Sequence, residues 1–192
     1  MLDGIVKSAA AFFRELSGRL TGNSASSDRP VAALGGVTIM DIAPGRGAAW
    51  GTLSGLAAHP LDASRLFAIT DQDSAPIRII ELTVSATSAE VTAQTLVDAP
   101  GVGHLDTEAI ATKPEGGFWL ASEGAKRNDP PNLLVEVDAA GRLIGTLALP
   151  ASIAARMPKK GIEGVTLALS DMGRRIVTTF QAPLEGDPED LV

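Results

Sequence analysis

Residues Leu105–Gly124 read LDTEAIATKPEGGFWLASEG: two short apolar runs, TEAIAT and GFWLAS, joined by a Pro/Gly turn and carrying acids at their outer ends. Asp106 and Glu108 open the first run and Glu123 closes the second. Two such runs around a glycine turn read as a β-hairpin. Acids at the ends of core strands ask for a role, and the rest of the chain repeats them. LSGLAAHP, TEAIATKP and IEGVTLAL fall under one another, with Ser54, Glu108 and Glu163 in one column and Leu56, Ile110 and Val165 in another. The steps are 108 − 54 = 54 and 163 − 108 = 55 residues. A second apolar run follows each opener: RLFAIT, GFWLAS, RRIVTTF.

The first two units continue in parallel. IRIIELTV matches NLLVEVD, and EVTAQTLV matches RLIGTLAL. Runs rich in Val, Ile, Leu and Thr, broken by Gly, Pro and Asp, predict an all-β body. Four antiparallel strands per repeat predict the blade of a β-propeller. The chain supplies about two and a half such blades and a leading strand, GVTIMDI, so a partial propeller is expected. A half blade leaves an open strand edge, which predicts self-association. PASIAARM predicts a helical turn or two.

Ahead of this body, residues 1–20 predict an amphipathic helix. Leu2, Ile5, Val6, Ala9, Phe12, Phe13, Leu16 and Leu20 keep helical spacing, with Asp3, Lys7, Arg14 and Arg19 opposite. TGNSASSDRP reads as a linker, giving divisions at 1–20, 21–33 and 34–192.

Of 192 residues, 45% are hydrophobic, enough for a packed core, and the net charge is −7. That charge argues against nucleic acid as partner, because no basic surplus is available to displace phosphate counterions. There is no cysteine, which excludes disulfides and thiolate metal sites, and two histidines are too few for a histidine-rich zinc site. No apolar run approaches a membrane span. No signal peptide is visible, so the chain as written reads as cytoplasmic.

LSGLAAHP with RLFAITDQD, then DTEAIATKPEGGFWLASEG, PPNLLVEVDAAGRL and KGIEGVTLALSDMGRRIVTTFQAPL, resemble the phytase-like propeller family, described as esterase-like activity of phytase. The resemblance covers about Leu34 to Leu184. It implies a β-propeller, common among exported bacterial proteins, with phosphoester or ester hydrolase activity on a small-molecule substrate. Family members are usually longer. The chain departs from the family at Gln181, where a glutamate before the APL motif is common.

The candidate catalytic residues are Asp106, Glu108, Glu163 and Lys160. The candidate metal ligands are Asp71, Asp106, Glu108, Glu123 and Glu163. Hard cations such as Ca²⁺ take six to eight oxygens, many from carboxylates, so calcium is the expected cofactor. Converging acids repel one another unless a cation or proton intervenes. The alternative for Glu108 and Glu163 is structural: carboxylates that accept backbone N–H groups and tie blades together. Asp71, Asp73 and Glu123 also read as acids of solvated turns. Lys159 and Lys160 precede Glu163 and are the basic candidates for a phosphate, ahead of Lys126 and Arg127. His59 and His104 read as surface histidines. No G-x-S-x-G elbow, P-loop or Rossmann fingerprint is present. Three functions stay open: a metal-assisted phosphoester hydrolase, a non-catalytic propeller module that binds a ligand or protein, and a shortened product without activity.

Overall fold

The structure is a computed structural model that describes residues 41–43, 51–71, 76–124, 131–157, 161–171 and 173–188. All lie within the compact unit Met40–Val192. The helix expected over Leu2–Leu20, the linker, Asp73, Lys126, Arg127, Lys159 and Lys160 fall outside the described residues.

The body is all-β and built from antiparallel meanders. The first sheet holds β2 (Leu53–Ala58), β3 (Arg65–Thr70), β4 (Arg78–Val84) and β5 (Ala89–Leu96) in sequence order. β1 (Ile42–Ala43) adds to its outer edge, parallel to β5. The second sheet holds β6 (Thr107–Thr112), β7 (Phe118–Ser122), β8 (Leu133–Val137) and β9 (Leu143–Ala148), again in order. A helical turn at Ala151–Ala154 leads to β10 (Ile162–Ser170), which pairs with β11 (Gly173–Phe180) as a third, two-stranded sheet. The strands expected from the sequence repeat are therefore present, each unit opening with the predicted run.

Apolar side chains on both faces of the middle strands explain their near-continuous hydrophobic character. One cluster lies between the first two sheets: Phe67, Ile69, Ile77 and Ile79 pack against Ile110, Phe118, Leu120, Val135 and Val137. Phe67 meets Phe118 edge-on, with ring centroids 4.9 Å apart. A second cluster, Ala109, Ala121, Leu134 and Ile162 with Trp119, Ile176 and Phe180, joins the second sheet to the third. A third, of Ala68, Ile80, Leu82 and Val91, fills the other face of the first sheet. Each fully buried Ile or Leu contributes about 1.5–3 kcal/mol over an exposed one.

The opening strands of neighbouring sheets run close together. A Cβ added at Gly55 in β2 would lie 2.7 Å from the Ala109 Cα in β6. Only glycine allows that approach, and it brings the starts of the two sheets side by side.

The repeat extends to an irregularity. In β2 the register runs Leu53↔Thr70 and then Gly55↔Ile69, leaving Ser54 without an opposite residue. In β6 it runs Thr107↔Ser122 and then Ala109↔Ala121, skipping Glu108. In β10 it runs Ile162↔Phe180 and then Gly164↔Thr179, skipping Glu163. Each is a β-bulge, which bends its strand and redirects a side chain. The three residues aligned from the sequence are thus the three bulged residues.

The opposite ends of the strands carry paired charges. Arg65 meets Glu81 at 2.8 Å and Lys113 meets Glu136 at 2.5 Å. Glu81 and Glu136 occupy matching places in β4 and β8. Among the described residues, no helix is long and apolar enough to cross a membrane.

Candidate acidic site at the bulged strand ends

The chain just beyond each second strand bonds back to the residue two before the bulge. Asp71 N–H donates to Thr52 C=O at 2.9 Å, Glu123 N–H to Asp106 C=O at 3.0 Å, and Gln181 N–H to Gly161 C=O at 3.1 Å. Three places per sheet are therefore held together by backbone geometry: Thr52, Ser54 and Asp71; Asp106, Glu108 and Glu123; Gly161, Glu163 and Gln181. The second sheet fills all three with acids. Gln181 is the third-sheet counterpart of Asp71 and Glu123.

Carboxylate oxygens of Asp71, Asp106 and Glu108 all lie within 4.8 Å of one another. Asp71 comes from the first sheet and the other two from the second, so the close approach at Gly55 builds the cluster. Asp106 is 5% exposed, while Asp71, Glu108, Glu123 and Glu163 are half-buried. The surroundings of Asp106 are polar and fixed. Its N–H donates to Ser122 Oγ at 3.1 Å, and neighbouring Thr107 donates through Oγ1 to Thr70 C=O at 2.6 Å. Those bonds explain why Thr70, Thr107 and Ser122 are buried although polar.

Electrostatics follow from the crowding. Burial first, then the neighbouring charges of Glu163, Asp106, Asp71 and Glu123, push Glu108 up to about 8. Burial, then Glu123 and Asp71, push Asp106 up to about 6, with His104 opposing the shift. Glu123 also hydrogen-bonds the Asp106 side chain. Two carboxyls can share such a bond only if one carries a proton. The five acids named from the sequence thus form one electrostatic group, with Asp71, Asp106 and Glu108 at its tight centre.

Two side-chain ties between the second and third sheets fall on Glu123 and Asn132. Glu123 Oε2 accepts the Gly161 N–H at 3.1 Å, and Asn132 Oδ1 accepts the Ile162 N–H at 3.0 Å. A Cβ at Gly161 would lie 2.7 Å from the Glu123 Cα, so glycine lets the third sheet approach these acceptors. Glu108 receives no hydrogen bond from the described residues. Its half-buried carboxyl is left facing other acids. Sequence reasoning did not find Asn132; the only signal was its place after two prolines, at the entry to β8. His59 lies away from the acids, where its Nδ1 accepts the Leu61 N–H at 3.2 Å. His104 is exposed.

The arrangement offers an all-oxygen donor set at a junction of sheets. An unscreened group of this kind holds protons near neutrality, and it favours a cation that replaces them.

Comparison with known proteins finds one family. The family model described as "Phytase-like: Esterase-like activity of phytase" matches residues 48–191, which is 191 − 48 + 1 = 144 of the 192 residues. No curated protein matches the chain.

Proposed function

The chain belongs to the phytase-like family, and on that premise we propose that its acidic cluster holds a calcium ion for the hydrolysis of a small phosphoester or ester. The architecture we infer is a partial β-propeller whose opening strands carry the site. One observation carries the reading: the Asp71, Asp106 and Glu108 oxygens lie within 4.8 Å of one another.

The donor chemistry fits calcium. All three residues offer hard oxygen ligands, and the raised values of Asp106 and Glu108 express burial first and then a repulsion between acids that a divalent cation relieves. When bound, such an ion lowers the pKa of a water and offsets the charge of an anionic substrate. Asp71, Asp106 and Glu108 are the ligands in this reading. Glu163 adds charge from the third sheet. Glu123 orients Asp106 through their hydrogen bond while keeping the third sheet in place. Lys160, beside Glu163 in sequence, is the cation proposed to meet a phosphate.

The test is hydrolysis of a chromogenic phosphomonoester and a chromogenic acetate ester, each with calcium and with chelator. Calcium-dependent turnover that falls at least tenfold in Glu108→Gln supports the proposal. Calcium binding without turnover on either substrate rejects the catalytic part. It favours a propeller module that binds a ligand, a reading supported by the structural use of Glu123.

A further inference from the structure

We propose that Ser54 is a phosphate-contacting residue of this site, a neutral hydrogen-bond donor set into the ring of bulged residues. The inference rests on the calcium reading above and assigns a role to a residue which that reading leaves out.

The geometry begins with the bulges. Ser54, Glu108 and Glu163 are each skipped in the ladder at the same place in three successive sheets. An equal bulge gives an equal direction, and at Glu108 that direction leads to Asp71 and Asp106. Ser54 is also the immediate neighbour of Gly55. A Cβ at Gly55 would lie 3.0 Å from the Glu108 carbonyl oxygen, so the two bulges abut across the seam between sheets. Asp71 follows Thr70, which pairs with Leu53, the residue before Ser54.

The chemistry then separates Ser54 from its counterparts. Ionised carboxylates only accept hydrogen bonds. A phosphoryl group brought to a cation among acids therefore needs a donor on the protein, or its remaining oxygens face like charge. A serine hydroxyl donates, adds no charge and has the reach for a phosphate oxygen. Ser54 is half-buried, and among the described residues its hydroxyl has no hydrogen-bond partner, so it is available for a ligand. A third carboxylate at this place would complete an acidic ring and repel an anion. The serine leaves the bulge position of the first sheet uncharged.

The experiment measures binding of phenylphosphonate, a non-hydrolysable phosphomonoester mimic, by calorimetry in calcium-saturated protein. Calcium affinity is measured separately. Ser54→Ala should keep the calcium affinity and bind phenylphosphonate about tenfold more weakly, the usual loss of one hydrogen bond to a charged group. Ser54→Thr, which keeps the hydroxyl, should restore it. Ser54→Glu should bind calcium more tightly and lose phenylphosphonate. Unchanged phenylphosphonate binding in Ser54→Ala, with normal calcium affinity, overturns the role of Ser54 and leaves the calcium reading standing. Failure of the unsubstituted protein to bind calcium overturns both.

Discussion

Glu123 Oε2 accepts the backbone N–H of Gly161 at 3.1 Å, across the seam between the second sheet and the third. The same side chain bonds Asp106, so one glutamate both shapes the acidic site and fastens the β10–β11 hairpin. Asn132 makes the adjoining bond to Ile162 N–H. Removing either acceptor leaves a backbone donor at the seam without its partner.

Glu123→Ala and Asn132→Ala should each destabilise the protein by about 1–3 kcal/mol. Hydrogen exchange should locate the loss. Amides of β10 and β11 should exchange faster in both variants, while those of β3 and β4 keep their protection. Uniform loss across all strands would contradict the assignment of these bonds to the third sheet.

The raised acids predict a pH dependence with a definite sign. Asp106 at about 6 and Glu108 at about 8 hold protons in the folded chain that the unfolded chain has already released. Their contribution to folding is complete below about pH 4 and is lost as pH rises, through about 6 for Asp106 and about 8 for Glu108. In chelator, the melting temperature should therefore fall between about pH 5 and pH 8. Saturating calcium should flatten the decline. A melting temperature that rises over this window in chelator would contradict the crowding described for these groups.

Glu108→Gln removes the charge but keeps the shape. At pH 8 and without calcium it should stabilise the protein by about 1–2 kcal/mol, roughly 2–6 °C in melting temperature. At pH 5, where Glu108 is already protonated, the effect should nearly vanish. Thermal melts at the two pH values check it. Destabilisation at both would return Glu108 to a structural tie.

Gly55→Val tests how the site is built. Its Cβ would lie 2.7 Å from the Ala109 Cα and 3.1 Å from the Ile110 nitrogen, and strand backbone at a sheet seam cannot move aside locally. The variant should lose about 1–3 kcal/mol by overpacking. If it folds, it should also bind calcium more weakly, because Asp71 is drawn away from Asp106 and Glu108. Chemical denaturation and calorimetry check the two effects.

Much of this was legible in the sequence for a physical reason. Alternation and turn residues are local signals, and they placed the strands from Leu53 to Phe180. The 54- and 55-residue steps put Ser54, Glu108 and Glu163 in one column before any strand was paired. The bulges were not legible, because a bulge is a relation between two strands and shows only in the register. Nor was the division of labour between acids. Glu123 looked like a turn residue, since sequence does not say which carboxylate meets an incoming N–H. Gly161 and Asn132, which decide that question, lie 38 and 9 residues from Glu123. Only folding brings them together.

Calcium calorimetry on the unsubstituted protein and on Asp106→Asn and Glu108→Gln, at pH 7, is the most direct test of the central claim. The account predicts one saturable site in the unsubstituted protein, proton release on binding because calcium displaces the proton held by Glu108 at this pH, and at least tenfold weaker binding in each variant. No saturable binding, or equal binding by all three proteins, would contradict it.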